Sequence, residues 1–387
     1  MRLHYHAVRR PAPSVVLLIS LLAALLAWSG GSSAAAQTYV AAPTPVRVLL
    51  AVTGSVTVSM AGPHSGVVDG RGGFFTPGPL AWPVGARDGQ LVVDGHEIGT
   101  SLVLDAEGGT LEAFGTHYRG AIRLSAVGDE VEVVNVLDLE AYLRGVVPAE
   151  MAASWPMEAL KAQAVASRSY TLVSLDPEAR YDLCATTDCQ VYGGVEAEQP
   201  RTDDAVAATT GVVVTYGGAT ARTYYHSDSG GMIASSREVW GTSYPYLVAV
   251  RDAASSTPHR AWTARLDAAA VSASLVAAGR GVGTVTALRV LETSESGRVV
   301  SLEVAGTGGT TVIGGSQLTS LARGWGLKSM RFSMQGPLSV RGDGWGHGVG
   351  MSQYGARALA QAGYDYGRIL AYFYPTTTLT RFVAQTP

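Results

Sequence analysis

Residues 130–173 read EVEVVNVLDLEAYLRGVVPAEMAASWPMEALKAQAVASRSYTLV. The stretch opens on a strand and closes on a helix. Glu130 to Val136 is a short β-branched run of the kind that packs on a pleated surface. Ser154 is placed to cap a helix, Pro156 suits a first turn where no amide donor is needed, and Glu158 faces the positive end of the dipole. This spacing predicts a helix to about Val173. Ala159, Ala162, Ala164 and Ala166 leave its interior poor in bulk, so another backbone can come close. Glu158, Lys161, Val165 and Arg168 fall along one stripe, which puts two cations on a face with one acid. Spacing alone reads this equally well as a solvated face with an ordinary ion pair.

Outward from this stretch, the strand habit repeats. Val46 to Met60 (around Gly54), Leu91 to Val93, Ser101 to Leu104 and Gly120 to Leu124 are short apolar runs separated by Asp-Gly and Gly-Gly turns. Downstream, residues 211–215 and 222–226 read as a hairpin about Gly217 and Gly218, ending in the polar run His226, Ser227, Asp228, Ser229, Gly230, Gly231. Ala253 to about Gly281 reads as helical, and Thr284 to Gly306 alternates like a hairpin. Gly342 to Tyr354 sets five glycines around Trp345, His347, Gln353 and Tyr354. A helix through Ala362 that stops at Gly363 follows, then another that ends before Pro375. Together these predict an α+β fold, mainly antiparallel sheet, with a loop between the Glu130 strand and the Ser154 helix. The division expected is a β-rich region over 37–125, a core over 126–252 and a completing part over 253–387.

Composition narrows the function classes. The 387 residues are 47% apolar and 15% charged, with 47 Gly and two Cys. That excludes a disordered tail protein and a disulfide-stapled miniprotein. Glycine at about 12% exceeds a usual share of about 7% and fits a turn-rich chain. Arg2, Arg9 and Arg10 precede an apolar run from Val15 to Trp28, and Ala34, Ala35 and Ala36 supply small residues, so residues 1–36 read as a secretory signal peptide cleaved near Ala36. The apolar run is too short to cross a bilayer as an anchor. Beyond it, 25 basic side chains (28 less 3) stand against 31 acidic ones. Nucleic acid is therefore not an expected partner, and no stable membrane span is expected after cleavage. Only two lysines occur, Lys161 and Lys328.

Several segments then carry a resemblance. Leu139-Glu140-Ala141-Tyr142-Leu143-Arg144-Gly145-Val146-Val147-Pro148-Ala149-Glu150-Met151, followed by Ser154-Trp155-Pro156 and Glu158 to Ala164, closely resembles the SpoIID/LytB family of bacterial cell-wall proteins. Cys189-Gln190-Val191-Tyr192, Tyr225-His226-Ser227 to Gly230-Gly231, and Gly344-Trp345-Gly346-His347-Gly348-Val349-Gly350-Met351-Ser352-Gln353-Tyr354-Gly355-Ala356 match in the same order. The resemblance implies a lytic transglycosylase acting on peptidoglycan glycan strands. Other members are described as enhancers of a wall amidase, which keeps a noncatalytic, wall-binding role as the alternative and a cell-wall amidase as the alternative partner.

Cleaving the bond between N-acetylmuramic acid and N-acetylglucosamine requires a proton on the leaving oxygen while an oxocarbenium-like centre forms. A lytic transglycosylase uses the sugar's own 6-hydroxyl as nucleophile, so one carboxyl can serve as acid and then as base. Glu150 matches the family's catalytic acid, and Val146, Val147, Pro148, Ala149 and Met151 offer it an apolar setting that raises a carboxyl pKa. Were water the nucleophile, Glu140, Glu158 or Asp252 would be candidates for a second carboxylate. A close cation would oppose the acid role, so Lys161 and Arg168 are assigned to substrate polar groups or to a supporting network. Gln190, Tyr192, His226, Ser227, Ser229, His347, Gln353 and Tyr354 complete the expected sugar contacts. A serine-hydrolase reading of His226 to Ser229 fails, because adjacency is not triad geometry. Cys184 and Cys189 are expected as a local disulfide outside the membrane. Some members of the resembled family bind zinc near this segment, but no His lies between Glu178 and His226 here. No cofactor is expected.

Overall fold

The computed structural model describes residues 43–252 and 257–381. The expected signal peptide and the first residues of the Ala253–Gly281 segment lie outside them. The fold is α+β with mostly antiparallel sheets. Gly54 divides the first apolar run between two sheets. Pro45–Thr53 joins a seven-stranded sheet, and Ser55–Met60 joins a six-stranded one. In the larger sheet Pro45–Thr53 pairs antiparallel with Glu130–Asp138 and, on its other side, parallel with Leu183–Cys184. Ala121–Val127 and Ser101–Asp105 continue the ladder beyond Glu130–Asp138, so strands on either side of residue 125 share one sheet. Val48, Leu102, Leu104, Leu124 and Val133 are fully buried in the core beneath it. Each such side chain contributes about 1.5–3 kcal/mol by leaving water.

The sheet delivers the chain into two helices. Helix α1, Leu139–Glu150, starts where the Asp138 carboxylate accepts the Glu140 amide at 3.0 Å, and ends where Met151 turns extended. The expected loop around Glu150 is therefore a helix. Tyr142, Leu143, Val146 and Val147 form its buried stripe against the first core, and Pro148 lies in the last turn, where its missing N–H removes one helical donor and only two residues follow before the helix ends. Helix α2, Met157–Leu172, begins two residues later than Ser154 capping would place it. Pro156 stands at the cap with no side-chain bond, and its carbonyl accepts the Ala159 and Leu160 amides at 3.0 and 3.2 Å. The alanines of α2 are buried on all sides, in contact with both the first core and a second core that includes Val214, Ile233, Val349, Met351 and Phe373.

Two further expectations are corrected by long-range pairing. The hairpin after Val212–Tyr216 ends at Thr220, and Tyr225–His226 instead pairs parallel with Met351–Ser352. The Ala253–Gly281 segment contributes the strand Trp262–Arg265, paired with Ser339–Gly342, before a helix over Ala268–Ala277 that Asp267 caps. A third core is built wholly within residues 262–340, around Leu275, Leu302, Val304, Leu318 and Val340. The Gly-rich segment lies along residues 225–234 through bridges Asp228–Trp345 and Ala234–Val349. Gly350 adopts φ 72°, and a Cβ there would collide with the Tyr224 carbonyl, so only glycine allows this approach.

Candidate active site

A cavity of about 590 Å³ gathers residues from all these segments. Glu150, at the last position of α1, lines it together with Tyr225, His226, Ser227, His347 and Gln353. The half-buried Glu150 carboxyl accepts the Val191 amide at 2.9 Å on Oε1 and the Gln353 side-chain amide at 3.2 Å on Oε2. Burial is the dominant influence and holds the Glu150 carboxyl above its ordinary range, against these donors and the Tyr225 hydroxyl, which favour its charged form. Behind it, the Tyr225 hydroxyl donates to Gln190 Oε1 at 2.8 Å, and Gln190 Nε2 donates to Thr171 Oγ1 at 2.9 Å. The acid thus sits on a braced, mostly uncharged network.

Two histidines flank one residue of the Gly-rich segment. The Val349 amide donates to His347 Nδ1 at 3.1 Å, so the proton of this ring is on Nε2, which donates to the Tyr225 carbonyl at 2.9 Å. His226 Nδ1 in turn donates to the Val349 carbonyl at 3.1 Å. Its Nε2 is buried and has no partner among the described residues. Burial holds His347 down to about 4 and His226 well below its usual value. Both rings are neutral at neutral pH. His347 has no nitrogen left for proton transfer, whereas His226 keeps one bare acceptor in a residue only 4% exposed.

This pairing makes acid stability testable. His347 binds its proton less tightly in the fold, at about 4 against an unfolded value of about 6.5. Its stabilising contribution is therefore complete above pH 6.5 and is lost as pH falls through 4, on the order of 3 kcal/mol in all. Denaturant melts between pH 7 and 4 are expected to show this loss, and His347→Gln to flatten it. An unchanged pH slope in the variant contradicts the assignment.

The other expected contacts separate into lining and supporting residues. Arg168 is 0% exposed. Its Nε and Nη2 each donate to Glu140 at 2.7 Å, and Nη1 reaches the Val212 carbonyl at 3.1 Å, so it serves the supporting network and not a sugar. Lys161 pairs with Glu158 at 2.7 Å and lies outside the cavity lining. The two cations of the expected stripe are thus separated, Lys161 in a half-buried ion pair and Arg168 fully buried against a partly exposed Glu140. Gln190 is buried as the brace already described, and Tyr192 is a core residue whose hydroxyl donates to Asn135 at 2.9 Å. Ser229 is buried and donates to Asp252. Tyr354 packs edge-on against Trp155 and His259 instead of lining the cavity. Cys184 and Cys189 form a disulfide with Cα atoms 5.4 Å apart, so neither sulfur is available as a thiolate ligand. The loop it closes contributes Thr187, Asp188 and Cys189 to the cavity. Sequence reasoning missed Tyr225 as the group beneath Glu150, although it directly precedes His226 in the matching run. It also missed residues 316–330, whose polar helix gives no local signal.

The family profile described as Stage II sporulation protein matches residues 127–216, which include α1, Glu150 and α2. The chain is 29% identical over 273 residues to stage II sporulation protein D of Bacillus subtilis, covering 64% of this chain and 76% of that one. It is 32% identical over 291 residues to the amidase enhancer of the same organism, covering 62% and 40%. The chain belongs to the SpoIID/LytB family. An uncharacterized protein of Brachyspira hyodysenteriae is 31% identical over 266 residues, 67% of this chain and 71% of that one. This SpoIID/LytB chain spans less than half the length of the amidase enhancer it matches. Its residues 258–350, which include the third core and much of the Gly-rich segment, match a domain of unknown function (DUF8618).

Proposed function

We propose that this SpoIID/LytB protein is a peptidoglycan lytic transglycosylase working in the cell envelope or outside the cell. It breaks the bond from N-acetylmuramic acid to N-acetylglucosamine and leaves 1,6-anhydro ends. The observation that carries this reading is that, among the described residues, the cavity is lined by one half-buried carboxyl, Glu150, and no second one positioned like it. Asp188, the other carboxylate lining it, is 65% exposed and paired with Arg323 at 2.8 Å. The candidates for a second carboxylate are occupied elsewhere: Glu140 by Arg168, Glu158 by Lys161 and the Tyr366 amide, and Asp252 by Ser229.

In this mechanism Glu150 gives its proton to the glycosidic oxygen as the bond to muramic C1 breaks. The resulting carboxylate then takes the proton from the 6-hydroxyl of the same muramic residue as that oxygen closes onto C1. The nucleophile is intramolecular, so no separate water need be positioned. Among the lining residues, the exposed Trp345 ring and the Ser227 hydroxyl support this reading as sugar contacts, whereas His226 Nε2 is buried and the Gln353 amide is held by Glu150. The signal-like residues 1–36 support export, and no helix among the described residues is long and apolar enough to cross a membrane.

The relative named amidase enhancer supports a second reading, in which the cavity binds glycan strands without cutting them and a wall amidase is the working partner. Incubating the exported chain with purified sacculi, with and without an added amidase, separates the two. Soluble glycan fragments released by the protein alone support the transglycosylase. Binding with no fragments, and faster amidase turnover in its presence, supports the enhancer.

A further inference from the structure

One lysine of the chain, Lys161, is consumed by an ion pair. The other, Lys328, lines the same cavity as Glu150 and makes no ion pair among the described residues. Its ammonium lies 5.1 Å from the centroid of the Trp345 ring. Trp345 is 48% exposed and lines the cavity. Both groups are fixed from behind. The Trp345 amide and carbonyl are bonded to Asp228 at 2.8 and 3.0 Å, the Lys328 carbonyl accepts the Gly346 amide at 2.8 Å, and Ser329 donates to the Asp343 carbonyl at 2.6 Å. The His259 ring meets Trp345 edge-on at 4.8 Å and steadies the indole from the side. The remaining cation of the lining, Arg323, is engaged by Asp188.

An exposed indole that carries the Lys328 ammonium over one face, inside a cleft, offers an apolar platform on its remaining surface and one positive charge with no carboxylate partner among the described residues. Indole faces accept the C–H face of a pyranose, and an ammonium that has no carboxylate of its own is matched by one on a ligand. We propose that Lys328 and Trp345 form a subsite for a carboxylate-bearing pyranose, with the sugar on the ring and its carboxylate on the ammonium. This rests on the reading of the cavity as a glycan cleft and adds a charge-selective position to it, supplied by the part of the chain that matches the domain of unknown function. In peptidoglycan the carboxylate has two sources: the lactyl group of a peptide-free muramic residue, or the stem peptide.

The test is calorimetric binding in a Glu150→Gln background, so that no ligand is consumed. Three ligands of equal length are compared: a neutral N-acetylglucosamine oligomer, a peptide-free muramic-containing oligomer, and the same oligomer with stem peptides. At least one acidic ligand is expected to bind roughly five- to tenfold tighter than the neutral one, with the gap shrinking at high salt. Lys328→Met is expected to abolish the gap between acidic and neutral ligands, and Lys328→Arg to retain it. Tighter binding of the peptide-free oligomer assigns the carboxylate to the lactyl group, and of the peptide-bearing one to the stem. Equal affinities, a gap that survives Lys328→Met, or no measurable binding of any ligand overturns the subsite. Because cleavage is not measured, loss of the subsite leaves the transglycosylase reading standing, and an inactive wild-type protein leaves the subsite standing.

Discussion

Glu150→Gln is expected to lower glycan cleavage about a hundred- to ten-thousand-fold while leaving glycan binding within a few fold of wild type. A positioned general acid contributes about 10²–10⁴ to rate, and here the same group serves both the bond-breaking and ring-closing steps. Gln keeps the shape and can still accept the Val191 amide that now bonds Oε1 at 2.9 Å, and its own NH2 is accepted by Gln353 once that side-chain amide turns its oxygen toward it. The variant also has a stability signature. Burial raises the Glu150 pKa above its unfolded value, so the fold is favoured below the unfolded value, and that advantage is lost as pH rises through the folded one. Removing the charge is therefore expected to make Glu150→Gln at least as stable as wild type at pH 7, with the difference closing in acid. Cleavage of wild-type rate by the variant, or a clear loss of stability at neutral pH, contradicts this account of the acid.

Arg168→Met is expected to have the largest effect on folding, a loss of about 3–5 kcal/mol. The wild-type guanidinium joins three elements: Glu140 near the start of α1, its own position in α2, and the Val206 and Val212 carbonyls around the end of helix Pro200–Ala208. Truncating it leaves the Glu140 carboxylate, whose side chain is 21% exposed, without its cation. The cost comes mainly from that uncompensated charge, so adding Glu140→Gln to Arg168→Met is expected to recover a substantial part of the lost stability. Urea midpoints of the two singles and the double measure this directly. A double variant no more stable than Arg168→Met alone contradicts the ion-pair explanation and points to lost packing. Glycan binding per folded molecule is expected to stay close to wild type in the rescued protein, which a sugar-contacting Arg168 would not allow.

What was legible in the sequence follows physical locality. Short strands such as Ser101–Asp105 and Glu130–Asp138 carry their own β-branched patterning, and the helix Gln353–Gln361 is bounded by its own Ser352 cap and Gly363. The helical stripe of α1 was also present, in Tyr142, Leu143, Val146 and Val147, but paired valines before Pro148 resemble an extended segment until the first core is there to cover them. Tyr225–His226 was misplaced because its strand partner, Met351–Ser352, lies more than a hundred residues away and no local turn announces it. Of the residues expected as acid or sugar contacts from the matching segments, Glu150, His226, Ser227, His347 and Gln353 line the cavity. Arg168, Tyr192 and Ser229 belong to equally distinctive segments, yet they are buried supports. A motif marks residues that a site needs without saying which of them the ligand touches. The wall supplied by residues 316–330 and Trp345 became visible only once the third core placed it against the cavity.

The origin of the oxygen at the newly formed sugar end tests the central claim most directly. Digestion of purified peptidoglycan in water enriched in oxygen-18, followed by mass analysis of the fragments, is predicted to give anhydromuramyl ends lighter by one water than reducing ends and free of label. Reducing ends that carry the heavy isotope would mean that water, and not the substrate's own hydroxyl, attacks the sugar, and would contradict a mechanism run by Glu150 alone.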